Sequence, residues 1–189
     1  MITGSSMPAY DQGGGGTPDR YHLIPRTLVF LVRDEQVLLL KGAIDKRLWP
    51  NRYNGIGGHI EKGEDVLSSA RRELLEESGY VCPDLWLCGV VIVDTGENPG
   101  IGIYLFKGTL LDQDSSFFPT NIGGEIDGPE GRLEWVAKSD VYALPLVEDL
   151  PSLLPGILSA KYGDPPFSAI SSYDEQGILR IKYGRPYTL

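Results

Sequence analysis

The segment that most constrains this chain is residues 57–80, in which a glycine-rich turn leads directly into an amphipathic helix. The helix is predicted over residues 64–78, where apolar residues recur at helical spacing, and Gly79 follows as a stop signal. Three glutamates share one flank of it, because Glu76 and Glu77 lie three and four residues after Glu73. Like charges repel there unless a hard divalent cation with oxygen ligands joins them. The spacing therefore favours a cation site, with a solvated Glu/Arg surface as the alternative.

The charge balance excludes several kinds of partner. Acidic residues outnumber basic ones by 26 to 17, giving a net charge of -9, and no basic stripe is visible, so DNA, RNA and anionic membranes are disfavoured. A phosphate-bearing ligand fits only if divalent cations lie between it and the carboxylates. No apolar run reaches membrane-spanning length. Cys82 and Cys88 lack zinc-binding spacing, which indicates structural thiols in a reduced, cytoplasmic protein.

The rest of the 189-residue chain has the pattern of a mixed α/β protein. A flexible leader is predicted over residues 1–20 and a single domain over residues 21–189. Apart from the helix already described, the predicted elements are a hairpin of residues 26–33 and 36–41, a loop over 43–52, a short strand at 53–56, strands at 85–94, 101–110 and 132–136, a helix at 150–161 and a terminal hairpin over 167–183.

The glycine turn and helix together resemble the Nudix box, Gly-x5-Glu-x7-Arg-Glu-U-x-Glu-Glu-x-Gly-U, where U is a bulky apolar or aromatic residue. Every fixed position is filled: Gly58, Glu64, Arg72, Glu73, Leu74, Glu76, Glu77, Gly79 and Tyr80. The resemblance implies the Nudix α/β/α sandwich with a mixed sheet over about residues 26–161, with the C-terminal β-hairpin outside it. It also implies hydrolysis of a phosphoanhydride bond in a nucleoside diphosphate linked to another group.

The resemblance assigns roles residue by residue. It implies a Mg2+ site, with Mn2+ as an alternative metal, whose ligands are Glu73, Glu76, Glu77 and the backbone carbonyl of Gly57. Gly58, Glu64 and Arg72 would hold the loop and helix together, and Arg72, Glu73 and Glu76 form the expected catalytic set. A general base is expected either in the box or on a later loop, where Glu130 is the candidate and Glu125 and Glu134 are rivals. His59 lies close enough in sequence to touch phosphate.

Substrate choice lies outside the box. Residues 53–58 resemble the Trp-Asn-Gly-Phe-Gly-Gly form of MutT-like Nudix enzymes that clear oxidised purine nucleoside triphosphates, and Asn54 matches the asparagine that reads the base. Trp135 with residues 144–154, including Glu148 and Asp149, is similar to the region that closes the base pocket in that branch. The alternatives are a turn role for Asn54 and a helix N-terminal role for the acidic pair. We therefore expect hydrolysis of an (oxidised) purine (deoxy)nucleoside triphosphate to monophosphate and pyrophosphate.

Two other functions stay open from sequence. ADP-ribose or another nucleoside diphosphate derivative would need the same box, although the ADP-ribose branch often has a proline about 15 residues past the box and Pro99 lies 19 past Tyr80. The alternative to an enzyme is a regulatory module that binds nucleotides without hydrolysing them. Such regulators usually have a damaged box and a DNA-binding domain, and neither is visible in this sequence. A homodimer is also expected, because Nudix proteins often dimerise and the terminal hairpin offers a strand edge.

Overall fold

The computed structural model describes residues 20–110, 126–128 and 130–184. In chain order the elements are β1 (Leu23–Arg33), β2 (Gln36–Gly42), β3 (Tyr53–Asn54), α1 (Val66–Ser78), β4 (Trp86–Asp94), β5 (Gly100–Thr109), β6 (Ile126–Gly128), β7 (Gly131–Ala137), a 3-10 turn (Val141–Ala143), α2 (Leu150–Ser159), β8 (Phe167–Tyr173) and β9 (Leu179–Tyr183). In this part of the chain the strands form one mixed sheet in the order β6-β7-β2-β1-β5-β4-β8-β9, with β3 paired to β2.

The sheet has a hydrophobic core on each face because side chains alternate along its strands. In β1, Val29 and Leu31 join the cluster that packs under α1 with Ala70 and Leu74. The intervening residues Phe30 and Val32 join a second cluster with α2, which contributes apolar residues from Leu150 to Ile157. The predicted α/β/α sandwich with a mixed sheet is therefore confirmed, and we call its two sides the α1 face and the α2 face.

Local signals explain where α1 begins and ends. Asp65 caps the helix, since its carboxylate accepts hydrogen bonds from the N–H groups of Leu67 and Ser68. Gly79 ends the helix in the left-handed conformation with φ of 70°, which glycine adopts without strain. The predicted helix over residues 64–78 is thus confirmed, with its first turn beginning after the cap.

Helix α2 is fixed to the sheet by a buried lysine. The ammonium group of Lys107 in β5 donates to the carbonyls of Leu158 and Ala160, both at 2.7 Å, and so caps the C-terminal end of α2. Burial lowers the pKa of Lys107. The helix ends at Ser159, two residues before the predicted end, and this lysine holds it over the part of the sheet that carries the site.

The terminal hairpin differs from its predicted place. The resemblance put it outside the sandwich, but β8 pairs in parallel with β4 from Gly89 to Asp94 and continues the sheet. The reason is that β4 would otherwise leave its outer N–H and C=O groups unpaired along an edge. A second difference is the three-residue strand β6, which pairs with β7 and was not predicted.

Several expectations concern residues outside the described part. The leader, residues 1–20, lies beyond it except for Arg20, and so does Glu125. Its separation from one domain over residues 21–189 stays a prediction, as does a homodimer through the hairpin.

Both cysteines are free and buried, as expected, and burial raises the pKa of Cys82 to about 11 and of Cys88 to about 12. Neither described helix has the length and apolarity needed to cross a bilayer.

Candidate active site

The glycine turn of the site lies against strand β1. Thr27 donates its N–H to the Gly58 carbonyl at 3.0 Å, and Val29 and Ile56 exchange backbone hydrogen bonds. A Cβ on Gly57 would lie 2.1 Å from the Thr27 carbonyl oxygen, so no larger residue fits between the turn and the strand. The backbone of the turn is therefore held in a fixed position beside the C-terminal half of α1.

Arg72 joins the turn to the helix. Its guanidinium pairs with both Glu64 carboxylate oxygens, at 2.7 and 3.0 Å, and donates to the His59 carbonyl at 3.1 Å. The same side chain reaches Glu73 at 2.8 Å and Glu76 at 3.0 Å. The bond to Arg72, with a further bond from the Glu61 N–H, lowers the pKa of Glu64 to about 2. The predicted ion pairing of Arg72 with Glu76 is confirmed, and Glu64 fixes the arginine.

Two of the three box carboxylates are shielded from solvent. The Glu73 side chain is 13% exposed and lies against Gly58, where an added Cβ would be 2.5 Å from its Oε1 atom. Glu77 accepts a hydrogen bond from the Gly57 N–H at 3.2 Å. Burial raises the pKa of Glu77 to about 7, and the negative charges of Glu73 and Glu130 add to this effect.

The third carboxylate, Glu76, has a different position. Its side chain is 59% exposed and bonds to Arg72, and it does not line the cavity that Glu73 and Glu77 share. Among residues 20–110, 126–128 and 130–184, no three His, Cys, Asp or Glu side chains are grouped as a metal site. The ligand set Gly57, Glu73, Glu76 and Glu77 therefore stays a prediction. The shielded carboxylates of Glu73 and Glu77, with the charge of Glu73 adding to the raised pKa of Glu77, nevertheless fit a divalent cation with oxygen ligands.

Metal affinity is expected to depend on pH through Glu77. Its pKa of about 7 means that the carboxyl is mostly protonated below that pH, and a proton then competes with the cation. Calorimetric titration with Mn2+ should give a dissociation constant roughly tenfold weaker at pH 6 than at pH 8. The Glu77→Gln variant should bind weakly at both. Equal affinity of the unaltered protein at the two pH values would contradict a role for Glu77 as a ligand.

A cleft of about 740 Å³ opens between α2, the sheet and the glycine turn, and we call it the main cleft. Glu73 and Glu77 line it near the turn, and Asn54, Glu148 and Asp149 also line it. The chain around Tyr53 brings these groups together, because the Tyr53 N–H donates to the Pro145 carbonyl and the Tyr53 carbonyl accepts from the Val147 N–H. Glu73, Glu77 and the base-reader candidates thus share one cavity of the size typical for small-molecule ligands, while Glu76 lies outside it.

The base-reader candidates are each held by local contacts. Asn54 lies in β3 rather than in a turn, and its side-chain oxygen accepts from the Gly55 N–H at 2.9 Å, which leaves the amide N–H groups to donate elsewhere. Asp149 precedes α2 but makes no side-chain capping bond. Burial raises the pKa of Asp149, with a contribution from the charge of Glu148. Its carboxyl therefore does not cap the helix and lines the main cleft.

The candidates for a general base are separated by the structure. Glu130 lines the main cleft and forms an ion pair with Lys46 at 2.6 Å. Glu134 accepts from the Tyr53 hydroxyl at 2.7 Å and is not among the cleft-lining residues. His59 is exposed and lines the cleft, while its carbonyl accepts a hydrogen bond from Arg72. Of the described candidates for a general base on a later loop, Glu130 is the one that lines the main cleft.

Trp135 does not lie where the resemblance suggested. Its indole N–H donates to the Tyr80 hydroxyl at 3.1 Å, and Arg33 stacks over its ring at 4.4 Å, so it packs on the α1 face away from the main cleft. Strand alternation explains this, since the neighbouring Glu134 and Val136 point to the other face.

Four further cleft residues were not predicted from the sequence, because no box position marks them: Arg26, Lys46, Ser171 and Tyr173.

Comparison with known proteins agrees with this geometry. A family model described as the NUDIX domain matches residues 22–156. Over 82 residues, 43% of this chain, it is 43% identical to the oxidized purine nucleoside triphosphate hydrolase of Mus musculus and 35% identical to that of Danio rerio. The match covers 51% of each of them, so the chain spans about half the length of these curated relatives.

Solved structures show the same fold at lower identity. A MutT protein from Bacillus halodurans superimposes with a TM-score of 0.65 at 24% identity, over 84% of this chain and 96% of that one. The NUDIX domain of Shewanella oneidensis NrtR, solved with ADP ribose, gives a TM-score of 0.60 at 16% identity, over 79% and 96%. The family model covers most of the chain, including the glycine turn held on β1 and the carboxylates around Arg72. This protein therefore belongs to the NUDIX family.

Proposed function

We propose that this protein hydrolyses a purine nucleoside triphosphate, with oxidised purines as the best candidates, to a nucleoside monophosphate and pyrophosphate in the presence of Mg2+. One observation carries the proposal: the main cleft is lined by the box carboxylates Glu73 and Glu77 and also by the polar set Asn54, Glu148 and Asp149. A triphosphate and a base need two such sets in one cavity. The relatives named for oxidised purine nucleotides support the choice of base.

The carboxylate part of the cleft would hold the phosphates. Glu73, Glu77 and the Gly57 carbonyl would hold a divalent cation, which would neutralise phosphate charge and activate the attacking water. Arg72 keeps Glu73 and Glu76 oriented from the helix side. The rigid turn on β1 fixes the carbonyl and amide of Gly57, so the site is largely preformed.

Lys46 and Glu130 would act together at the cleft mouth. In the free protein they neutralise each other across 2.6 Å. A phosphate group competes for the ammonium of Lys46, and the released Glu130 carboxylate can then accept the proton of the water that attacks phosphorus. The bond to the leaving pyrophosphate breaks as the new oxygen–phosphorus bond forms, and the proton leaves through Glu130 to solvent.

The other part of the cleft would read the base. Asn54 offers amide N–H donors, and Asp149 offers a carboxyl that lines the cleft and makes no capping bond. A purine edge presents both acceptors and donors to such groups, and a site built to pair them rejects bases that leave them unpaired. Base selectivity would therefore depend on this set, and turnover on the box.

The test is kcat/KM measured with Mg2+ across ordinary and oxidised purine triphosphates, pyrimidine triphosphates, ADP-ribose, dinucleoside polyphosphates and NADH. We expect a purine triphosphate to lead the panel by at least about tenfold, in line with polar base recognition. Preference for ADP-ribose would overturn the substrate while leaving the box chemistry in place. Absence of turnover on every substrate would favour a nucleotide-sensing module.

A further inference from the structure

Strand β8, which lies beyond the residues matched by the family model, forms one wall of the main cleft. Its parallel pairing sets Ser171 beside Val93 of β4, and alternate residues Ala169, Ser171 and Tyr173 face α2. Ser171 and Tyr173 line the cleft together with Leu179 of β9. The hairpin that follows the matched domain is therefore part of the ligand cavity.

Tyr173 contacts a base-reader candidate directly. Its hydroxyl donates to Oε2 of Glu148 at 2.6 Å, across the cleft wall to the segment that precedes α2. Glu148 is exposed, so without this contact its side chain would rotate freely in solvent. A short hydrogen bond to a carboxylate fixes both the rotamer and the oxygen that stays available for another donor.

Ser171 gives a second, independent sign of a ligand. It is 1% exposed, and its hydroxyl has no hydrogen-bond partner among the described residues. The cleft around it is lined by apolar side chains such as Val93, Ile103 and Leu153. A buried hydroxyl without a partner is costly and uncommon, and a polar ligand atom entering the cleft would provide one.

We propose that β8 completes the nucleobase site. Tyr173 is a positioning residue that holds Glu148 toward the base, and Ser171 is a hydrogen-bond partner for the edge of the base. The inference rests on the proposed function for the identity of the ligand as a purine nucleotide. It adds that base selectivity depends on a hairpin outside the matched NUDIX domain. The phosphate-binding part of the cleft is independent of these two residues.

The variants Tyr173→Phe and Ser171→Ala each remove one hydroxyl and nothing else. Their matched controls lie on the same hairpin: Tyr183→Phe loses a hydroxyl that bonds the Ser152 carbonyl at 2.6 Å, and Ser172→Ala loses one on the opposite face of β8. Binding of a non-hydrolysable purine triphosphate analogue is measured by calorimetry, alongside binding of inorganic tripolyphosphate. KM and kcat for purine and pyrimidine triphosphates are measured in parallel.

We expect each test variant to bind the analogue about five- to tenfold more weakly and to raise KM by the same factor, with kcat within about twofold, as for loss of one hydrogen bond. The purine preference should fall, tripolyphosphate affinity should stay unchanged, and both controls should behave as the unaltered protein. Melting of Ser171→Ala should not drop, because the lost hydroxyl had no partner.

Unchanged analogue affinity and unchanged base preference in both test variants would overturn this inference while leaving the proposed hydrolysis intact. Weaker binding of tripolyphosphate would also overturn it, since the effect would then not concern the base. If the unaltered protein binds the analogue without turnover, the proposed function fails, and weaker binding by Tyr173→Phe and Ser171→Ala still upholds the inference. If the unaltered protein does not bind the analogue, both fail.

Discussion

Replacing Glu77 by glutamine is expected to lower kcat by about 10³-fold, the scale seen when a charge-stabilising group is removed from an active site. The same change should make the metal-free protein more stable at pH 8. The reason is that Glu77 is largely buried with a pKa raised to about 7, so its ionisation opposes folding. Glutamine keeps the shape and an acceptor for the Gly57 N–H at no cost in buried charge.

The sign of the stability effect follows from the pKa. The ordinary pKa is 4.5 and the folded value about 7, so the unaltered protein loses stability as pH rises between them. With about 1.4 kcal/mol for each of the roughly 2.5 units, the cost well above pH 7 is at most about 3.5 kcal/mol. Thermal melting in chelator should show Glu77→Gln more stable at pH 8 and nearly equal to the parent at pH 4, below the ordinary pKa.

The control for this variant is Glu175→Gln, the same change on the exposed turn of the terminal hairpin. It should leave kcat and melting within experimental error of the parent. Retained activity in Glu77→Gln would contradict a place for this carboxylate in the chemistry. A melting temperature at pH 8 that falls instead of rising would contradict the account of its burial.

Replacing Arg72 by lysine is expected to lower kcat/KM by roughly 30- to 100-fold although the positive charge is kept. The guanidinium serves Glu64 with two parallel bonds and also reaches Glu73, Glu76 and the His59 carbonyl. A single ammonium cannot replace this planar set of donors, so Glu73 and Glu76 lose their orientation. The melting temperature should also fall, because Glu64 and Glu73 would keep only part of their pairing.

The adjacent Arg71→Lys is the matched control. Arg71 is exposed and donates to the Pro83 carbonyl at 3.0 Å, away from the main cleft. The same substitution there should change kcat/KM by less than about twofold, as for an ordinary surface residue. Equal losses in the two variants, or activity in Arg72→Lys close to that of the parent, would show that the arginine network does not organise the site.

Local sequence signals were enough to predict the box and the helix that carries it. The helical spacing of apolar residues and the stop signal at Gly79 predicted α1, although the cap at Asp65 was not recognised. The pairing of Arg72 with Glu76 followed from helix geometry alone, since the residues are four apart. These features depend on neighbours in sequence, which a single chain reveals.

Long-range pairing could not be predicted in the same way. The position of Ser171 and Tyr173 in the cleft depends on the parallel pairing of β8 with β4, which joins residues about 78 positions apart and leaves no local pattern. Trp135 lies on the opposite face from the one expected because strand register decides its direction. The raised pKa of Glu77 likewise arises from burial by the folded chain rather than from its position in the box.

The most direct test of the central claim is phosphorus NMR of the products that the unaltered protein forms from a purine triphosphate with Mg2+, compared with the Glu77→Gln variant. We expect a nucleoside monophosphate and intact pyrophosphate in equal amounts, loss of both signals in chelator, and almost no product from the variant. A nucleoside diphosphate with inorganic phosphate, or equal product from the variant, would contradict it.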